Sequence, residues 1–135
     1  MPFVVDNSVV VGWHLGNQAT PYSDAVLNAL AGDVGHVPAL WPLEFSNVVR
    51  KALVVGKITE ERAREIMQIQ ASLALTIHGD IPIPAENMAL ALRYQLSSYD
   101  AAYLDLALRL RVPVATADGA LYDAAVAAGV GVFSP

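Results

Sequence analysis

Two periods of apolar residues run through the chain. Phe3-Val4-Val5 is a short unbroken apolar run ending at Asp6, the pattern of a central strand buried on both faces. Asp6-Asn7-Ser8 then supplies N-cap chemistry for a helix that opens with Val9-Val10-Val11-Gly12-Trp13. Thr20-Pro21 begins a second helix carrying Ala25, Val26, Leu27 and Leu30, and Gly32 stops it. His36-Val37-Pro38-Ala39-Leu40 reads as a short extended segment. It leads into a helix that starts near Pro42, whose missing N–H suits a first turn, and ends near Gly56.

Thr59-Glu60-Glu61 opens the longest expected helix, with Thr59 as N-cap and acids in the first turn. Ala63, Ile66, Met67, Ile69, Leu73 and Ile77 give it a broad apolar face, and Gly79 is its stop. It pairs with the preceding helix as a hairpin through Gly56-Lys57-Ile58. Ile81-Pro82-Ile83-Pro84 reads as extended, followed by a helix through Met88, Ala89, Leu90 and Leu92. A helix from Ser97-Ser98-Tyr99-Asp100 to about Leu110, a strand at Val112–Thr116, a helix from Asp118 to Ala128 and a closing strand at Val130–Phe133 complete the chain. Short strands alternating with helices imply an α/β domain, its sheet mostly parallel and covered on both faces.

Composition narrows the function classes. The 135 residues suit one domain, residues 1–135, and are 55% hydrophobic and only 16% charged. No apolar run reaches the roughly 18 residues of a membrane span, and the first residues lack the basic region of a signal peptide. The surplus apolar surface is expected to cover an interface, with a second copy or a partner. Absence of cysteine excludes disulfides, zinc–thiolate sites and thiol nucleophiles, and is compatible with a cytoplasmic address. A net charge of −5 argues against binding nucleic acid by bulk charge. Arg50, Lys51, Lys57, Arg62 and Arg64 nevertheless fall in one segment, as a local positive surface or a solvated helical face. His14, His36 and His78 are dispersed without ligand spacing and are assigned structural or surface roles, which disfavours a paired-histidine mechanism. Trp13 and Trp41 read as core or interface, and Met67 and Met88, on helical apolar faces, as core.

Topology sorts the acids. In a parallel α/β sheet every strand-to-helix turn lies at one edge, where ligands bind. Asp6 and Asp118 occupy such turns, and Glu44 lies in a first helical turn after an extended segment. Asp33 and Asp80 follow helices and precede strands, which sends them to the opposite edge. Asp105 has Arg109 four residues on, a surface pair, so Asp100 is the acid of that helix assigned to the site. Singly, Asp6 and Asp118 could be N-caps, Glu44 a complement to its helix dipole, and Asp100 half of a capping box with Ser97. Four converging carboxylates without intervening bases instead call for a hard divalent cation, Mg²⁺ or Mn²⁺.

Asp6-Asn7-Ser8 after an apolar strand, Glu44-Phe45-Ser46-Asn47, Tyr99-Asp100-Ala101-Ala102-Tyr103 and Thr116-Ala117-Asp118 together resemble the PIN-domain nucleases, and among them the small VapC-type toxins of toxin–antitoxin pairs. The resemblance spans essentially the whole chain. It implies a PIN-like three-layer α/β/α fold with a mostly parallel sheet of about four or five short strands. It also implies a metal-dependent endoribonuclease in which Asp6, Glu44, Asp100 and Asp118 hold one or two Mg²⁺ or Mn²⁺ ions and a metal-activated water hydrolyses the RNA backbone, leaving a 5′-phosphate. Ser8, Asn47 and Thr116 match polar positions that support the acids through hydrogen bonds. Arg50 and Lys51, on the turns beyond Glu44, are candidates to meet the RNA backbone. The family commonly forms homodimers and is held inactive by a cognate antitoxin. The acidic residue some relatives carry just after Thr-x-Asp is missing, Gly119-Ala120-Leu121 standing there instead.

Two other readings share the acidic edge. A receiver-type phosphoacceptor needs a lysine near the last strands, and none follows Lys57; the phosphatase pattern needs Asp-x-Asp where this chain has Asp6-Asn7-Ser8. A non-catalytic PIN-like scaffold binding RNA or protein would have no need of all four acids.

Overall fold

In the computed structural model, which describes residues 1–135, four short strands form one all-parallel sheet in the order β3-β2-β1-β4. The strands are β1 (Phe3–Val5), β2 (Gly35–Val37), β3 (Leu75–Ile77) and β4 (Val114–Ala115). Between them run α1 (Asn7–His14), α2 (Pro21–Ala29), α3 (Trp41–Val54), α4 (Glu60–Ser72), α5 (Pro84–Tyr94) and α6 (Ser98–Leu110), and α7 (Gly119–Ala127) follows β4. Helices α1 to α4 pack among themselves, as do α5, α6 and α7, giving the expected helical layers around the sheet.

The apolar run Phe3-Val4-Val5 is completely buried because β1 has a neighbour on each side. Helix α6 crosses β1 with Ala101, Tyr103, Leu104, Leu106 and Ala107 all fully buried, so its middle turns are apolar nearly all round. Gly12 lets α1 lie close to the following segment. A Cβ there would come within 2.9 Å of the Gln18 carbonyl oxygen and the Ser23 hydroxyl. The helix starts follow the expected chemistry: Thr20 and Ser23 form a reciprocal capping box, and Thr59 accepts from the Arg62 N–H.

Several expectations need correction. The helix from Thr59 does not continue to Gly79. It ends at Ser72, Leu73 turns extended, and Leu75–Ile77 form the edge strand β3 on β2. Apolar residues at 66, 69, 73 and 77 fit a helical stripe, but the β-branched Thr76 and Ile77 gain parallel ladder bonds only as a strand. The segment Ile81–Ile83 is correspondingly not a strand, since prolines 82 and 84 lack the N–H a ladder requires. Asp80 therefore follows a strand rather than preceding one, and its carboxylate pairs with Arg109 at 3.2 Å. At the C-terminus the expected strand contracts to a single parallel bridge, Val114 to Val132, because Gly129 and Gly131 both adopt positive φ. Met67 and Met88, read as core, are 39% and 59% exposed. Trp41 is buried, and Trp13 is half-buried with its indole N–H donating to the Ser23 carbonyl. No helix is long and apolar enough to cross a membrane.

Candidate active site

Strand order reverses beside β1. The chain leaves β1 for β2 and β3 on one side, then returns through α5 and α6 to place β4 on the other. A crevice beyond the carboxyl ends of β1 and β4 is where such a sheet takes ligands. Asp6 immediately follows β1 as the N-cap of α1, and Asp118 is the N-cap of α7 just beyond β4. Glu44 lies in the first turn of α3 and Asp100 in the first turn of α6. Each of the four acids thus belongs to a helix N-terminus, whose partial positive charge offsets some of their mutual repulsion.

Asp6 is the floor of the site, only 5% exposed. Its Oδ2 accepts from the Ser8 hydroxyl at 2.7 Å and the Thr116 hydroxyl at 2.9 Å. Those hydroxyls also organise the facing loop: Ser8 accepts from the Ala117 N–H, and Thr116 accepts from the Asp118 N–H, both at 3.0 Å. Burial pushes the Asp6 carboxyl above its ordinary value. The two hydroxyls oppose that shift, and neighbouring Asp118 adds to it. Asp118 makes a true cap, its Oδ2 accepting from the Leu121 N–H at 2.9 Å. The bland N-cap reading therefore holds for one oxygen of that carboxylate.

Asp100 is half-buried, and its amide donates to the Ser97 hydroxyl. Burial first, then the charges of Asp6 and Asp118, push its carboxyl up to about 6. Glu44 is raised as well, by burial and then by Asp6 and Asp100, against the lowering effect of a hydrogen bond from the Tyr103 hydroxyl at 2.5 Å. The structure thus brings all four acids into one electrostatic unit. No three acidic or histidine side chains anywhere in the chain stand close enough to make a closed metal cage, so the four interact through space rather than in contact. None of them takes part in a salt bridge.

Ser8 and Thr116 make the contacts expected of them, whereas Asn47 bonds elsewhere. Asn47 is exposed and accepts from the Arg50 Nε at 3.1 Å. On a helix a residue three positions on is rotated about 60° from the first, and here that rotation carries Asn47 away from Glu44. Tyr103 bonds to Glu44 instead, and sequence reasoning had given it no role: a fully buried tyrosine on an apolar helix resembles core. Its one signal was position, a turn beyond Asp100 on a face otherwise filled by alanine and leucine. Arg50 and Lys51 are both exposed on α3. Asp105 keeps its surface pair with Arg109 at 3.0 Å.

The largest cavity, about 520 Å³, lies elsewhere, at the far end of α1 between His14, Gly16, Asn17, Gln18, Lys57 and Arg62. Arg62 there donates to the His14 carbonyl, and α1 and α3 both end nearby, so the cations answer helix C-termini. His14 itself contacts Gln70 at 2.6 Å. His36 and His78, far apart in sequence, meet with Nδ1 and Nε2 2.8 Å apart. Their dispersal in sequence therefore does not hold in space, but imidazoles in direct contact leave no room for a phosphodiester between them, so the paired-histidine mechanism stays disfavoured.

A parallel sheet covered on both faces, with four acids at its carboxyl edge, defines a class of α/β domains with an acidic crevice. The chain belongs to the PIN domain family, whose profile matches residues 3–127. Within it, the chain is 32% identical to Ribonuclease VapC1 of Mycobacterium tuberculosis over 119 residues, 87% of this chain and 86% of that protein. It is 31% identical to Ribonuclease VapC12 of the same species over 118 residues, 87% of this chain and 88% of that protein. The fold is similar to the crystal structure of PAE2754 from Pyrobaculum aerophilum, with a TM-score of 0.65 at 19% identity, covering 92% of this chain and 84% of that one.

Proposed function

We propose that residues 1–135 act as a VapC-type endoribonuclease, the toxin of a toxin–antitoxin pair, using Mg²⁺ or Mn²⁺ held by Asp6, Glu44, Asp100 and Asp118. The observation that carries this reading is the meeting of four carboxylates, unpaired with any base, on four helix N-termini at one sheet edge. The donor set fits a hard divalent cation: all ligands are oxygens, and three of the carboxyls are raised above their ordinary values, partly by one another. Such a cation, when bound, supplies positive charge to offset the developing phosphorane charge and makes water more acidic.

The chain's own residues do the rest. Ser8 and Thr116 both donate to Oδ2 of Asp6, which fixes the carboxylate plane and turns Oδ1 toward other partners. The Tyr103 hydroxyl holds one oxygen of Glu44 in the same way. Asp118 is anchored through its cap bond, and its second oxygen serves the crevice. Lys51, which makes no salt bridge and lies two turns from Glu44 along the same face of α3, meets the RNA backbone together with Arg50. The exposed apolar residues Ile81, Ile83, Met88 and Leu92 on and before α5 offer a face for a second copy, and a cognate antitoxin covers the acids in a cytoplasmic setting.

The deciding experiment incubates structured RNAs with the purified chain in Mg²⁺ or Mn²⁺, with EDTA and an Asp6→Ala variant as controls. Cleavage by the wild type, abolished by either control, is expected. Equal cleavage by Asp6→Ala would remove the assigned site, and no cleavage by the wild type would leave a non-catalytic scaffold. A second result follows from Tyr103. Tyr103→Phe keeps the buried ring but frees Glu44, so Mn²⁺ affinity measured by calorimetry should fall by about tenfold with the chain still folded. An unchanged affinity would separate Glu44 from the ion.

A further inference from the structure

We propose that His36 and His78 form a second, separate metal site, taking one divalent ion of borderline softness such as Zn²⁺, Ni²⁺ or Cu²⁺ between their imidazoles. The pair is built by the sheet. His36 lies on β2 opposite Thr76 of β3, and the His78 N–H continues the ladder by donating to the Val37 carbonyl. Residues 76 and 78 share a face, so the register brings both imidazoles to the same side of the sheet. Each ring has the other as its only side-chain hydrogen-bond partner, with no carboxylate on either. Both side chains are partly exposed, which leaves an ion and its waters a way in.

The nitrogens stand 2.8 Å apart. Two metal–nitrogen bonds of about 2.0–2.1 Å at a tetrahedral angle need about 3.3 Å, so the rings would separate by about half an ångström. Burial and the neighbouring imidazole hold the His36 pKa below its ordinary value, which favours the neutral ring that a metal ion binds. No third acidic or histidine side chain joins the pair, so waters complete the coordination and affinity is modest. Ligand chemistry keeps the two sites apart: carboxylates select Mg²⁺ or Mn²⁺, whereas imidazoles favour the later transition ions. The ion would sit on the sheet's outermost pairing. Strand β3 is bonded to β2 alone, and a metal between His36 and His78 would fasten that edge.

The test titrates Zn²⁺ into the full chain in excess Mg²⁺, which occupies the acidic crevice, and repeats it with His36→Gln and His78→Gln. Glutamine retains a polar pair across the strands, and near-UV circular dichroism compares the folds. One Zn²⁺ site per chain is expected in the wild type, weakened by about tenfold or more in each variant. On the wild type alone, Ni²⁺ should broaden the imidazole NMR signals of His36 and His78 while sparing His14, which is occupied with Gln70. Equal Zn²⁺ binding in folded variants, or broadening of His14 in place of the pair, would overturn the site and leave a plain hydrogen bond between imidazoles.

Discussion

Asp100→Asn is expected to reduce RNA cleavage by about 10³-fold or more while making the metal-free protein slightly more stable. The loss follows from removing one of the four proposed ligands at a helix start where no neighbour can replace it. The gain follows from the pKa. The Asp100 carboxyl sits at about 6 in the folded chain against an ordinary 3.8, so above pH 6 its charge is disfavoured by folding. Full conversion of that difference would give about 3 kcal/mol, but the side chain is half exposed and solvent screening cuts this to about 1 kcal/mol. Loss of a favourable charge–dipole contact at the start of α6 removes about 0.5 kcal/mol of the gain. A rise in Tm of about 1–3 °C at pH 7.5 without metal is the net result. Thermal unfolding in EDTA measures it. A variant clearly less stable than the wild type would show that the folded site does not disfavour the Asp100 charge.

The second large effect is the dependence of stability on Mg²⁺ and pH together. In the metal-free chain Asp6, Glu44 and Asp100 all bind protons more tightly folded than unfolded. Their contribution to stability is therefore most favourable at low pH and is lost as pH rises, for Asp100 through the interval from 3.8 to about 6. A divalent ion requires the ionised carboxylates, so its stabilising effect runs the other way. At neutral pH and an ion concentration about 100 times its Kd, Mg²⁺ or Mn²⁺ should add about 2.7 kcal/mol, a Tm increase on the order of 8 °C. Near pH 5 the increase should shrink to about half, because the proton on Asp100 must first be displaced. Calorimetric scans with and without metal at the two pH values check this. An equal increase at both would place the ion on groups other than these acids.

Much of the fold was legible because local and global signals agreed. Phe3-Val4-Val5 is apolar on both faces and lies at the sheet centre, and the caps at Thr20, Thr59 and Ser97 mark true helix starts. The error at residues 73–83 arose where two periods coincide. Leu73 and Ile77 continue a helical stripe, but the parallel bonds to β2 that favour a strand belong to residues some 40 positions away. Asp6, Glu44 and Asp118 were legible from topology, since a strand-to-helix turn can lie only at the carboxyl edge, whereas Asp100 starts a helix that follows another helix and came from the family's Tyr-Asp motif. Their supporters were less so. Ser8 and Thr116 sit two residues from an acid in tight turns that direct a hydroxyl back at a carboxylate. Asn47 had an equally good partner on its own helix in Arg50, and Tyr103 reaches Glu44 across 59 positions with no local sign of doing so. The meeting of His36 with His78 depends on the same β3 register that the periodic reading missed.

The bond between Thr116 and Asp6 joins positions 110 apart, and this long closure sets the order in which the site can exist. Chains emerge from the ribosome N-terminus first, so Asp6, Ser8 and Glu44 leave early while β4, Thr116 and Asp118 leave among the last residues. Until then β1 has an open side, and the loop that clamps the Asp6 carboxylate is absent. A nascent chain paused between Asp100 and β4 therefore carries three of the four acids but no assembled centre. On the proposed function, synthesis itself would keep the growing polypeptide harmless to the RNA around it.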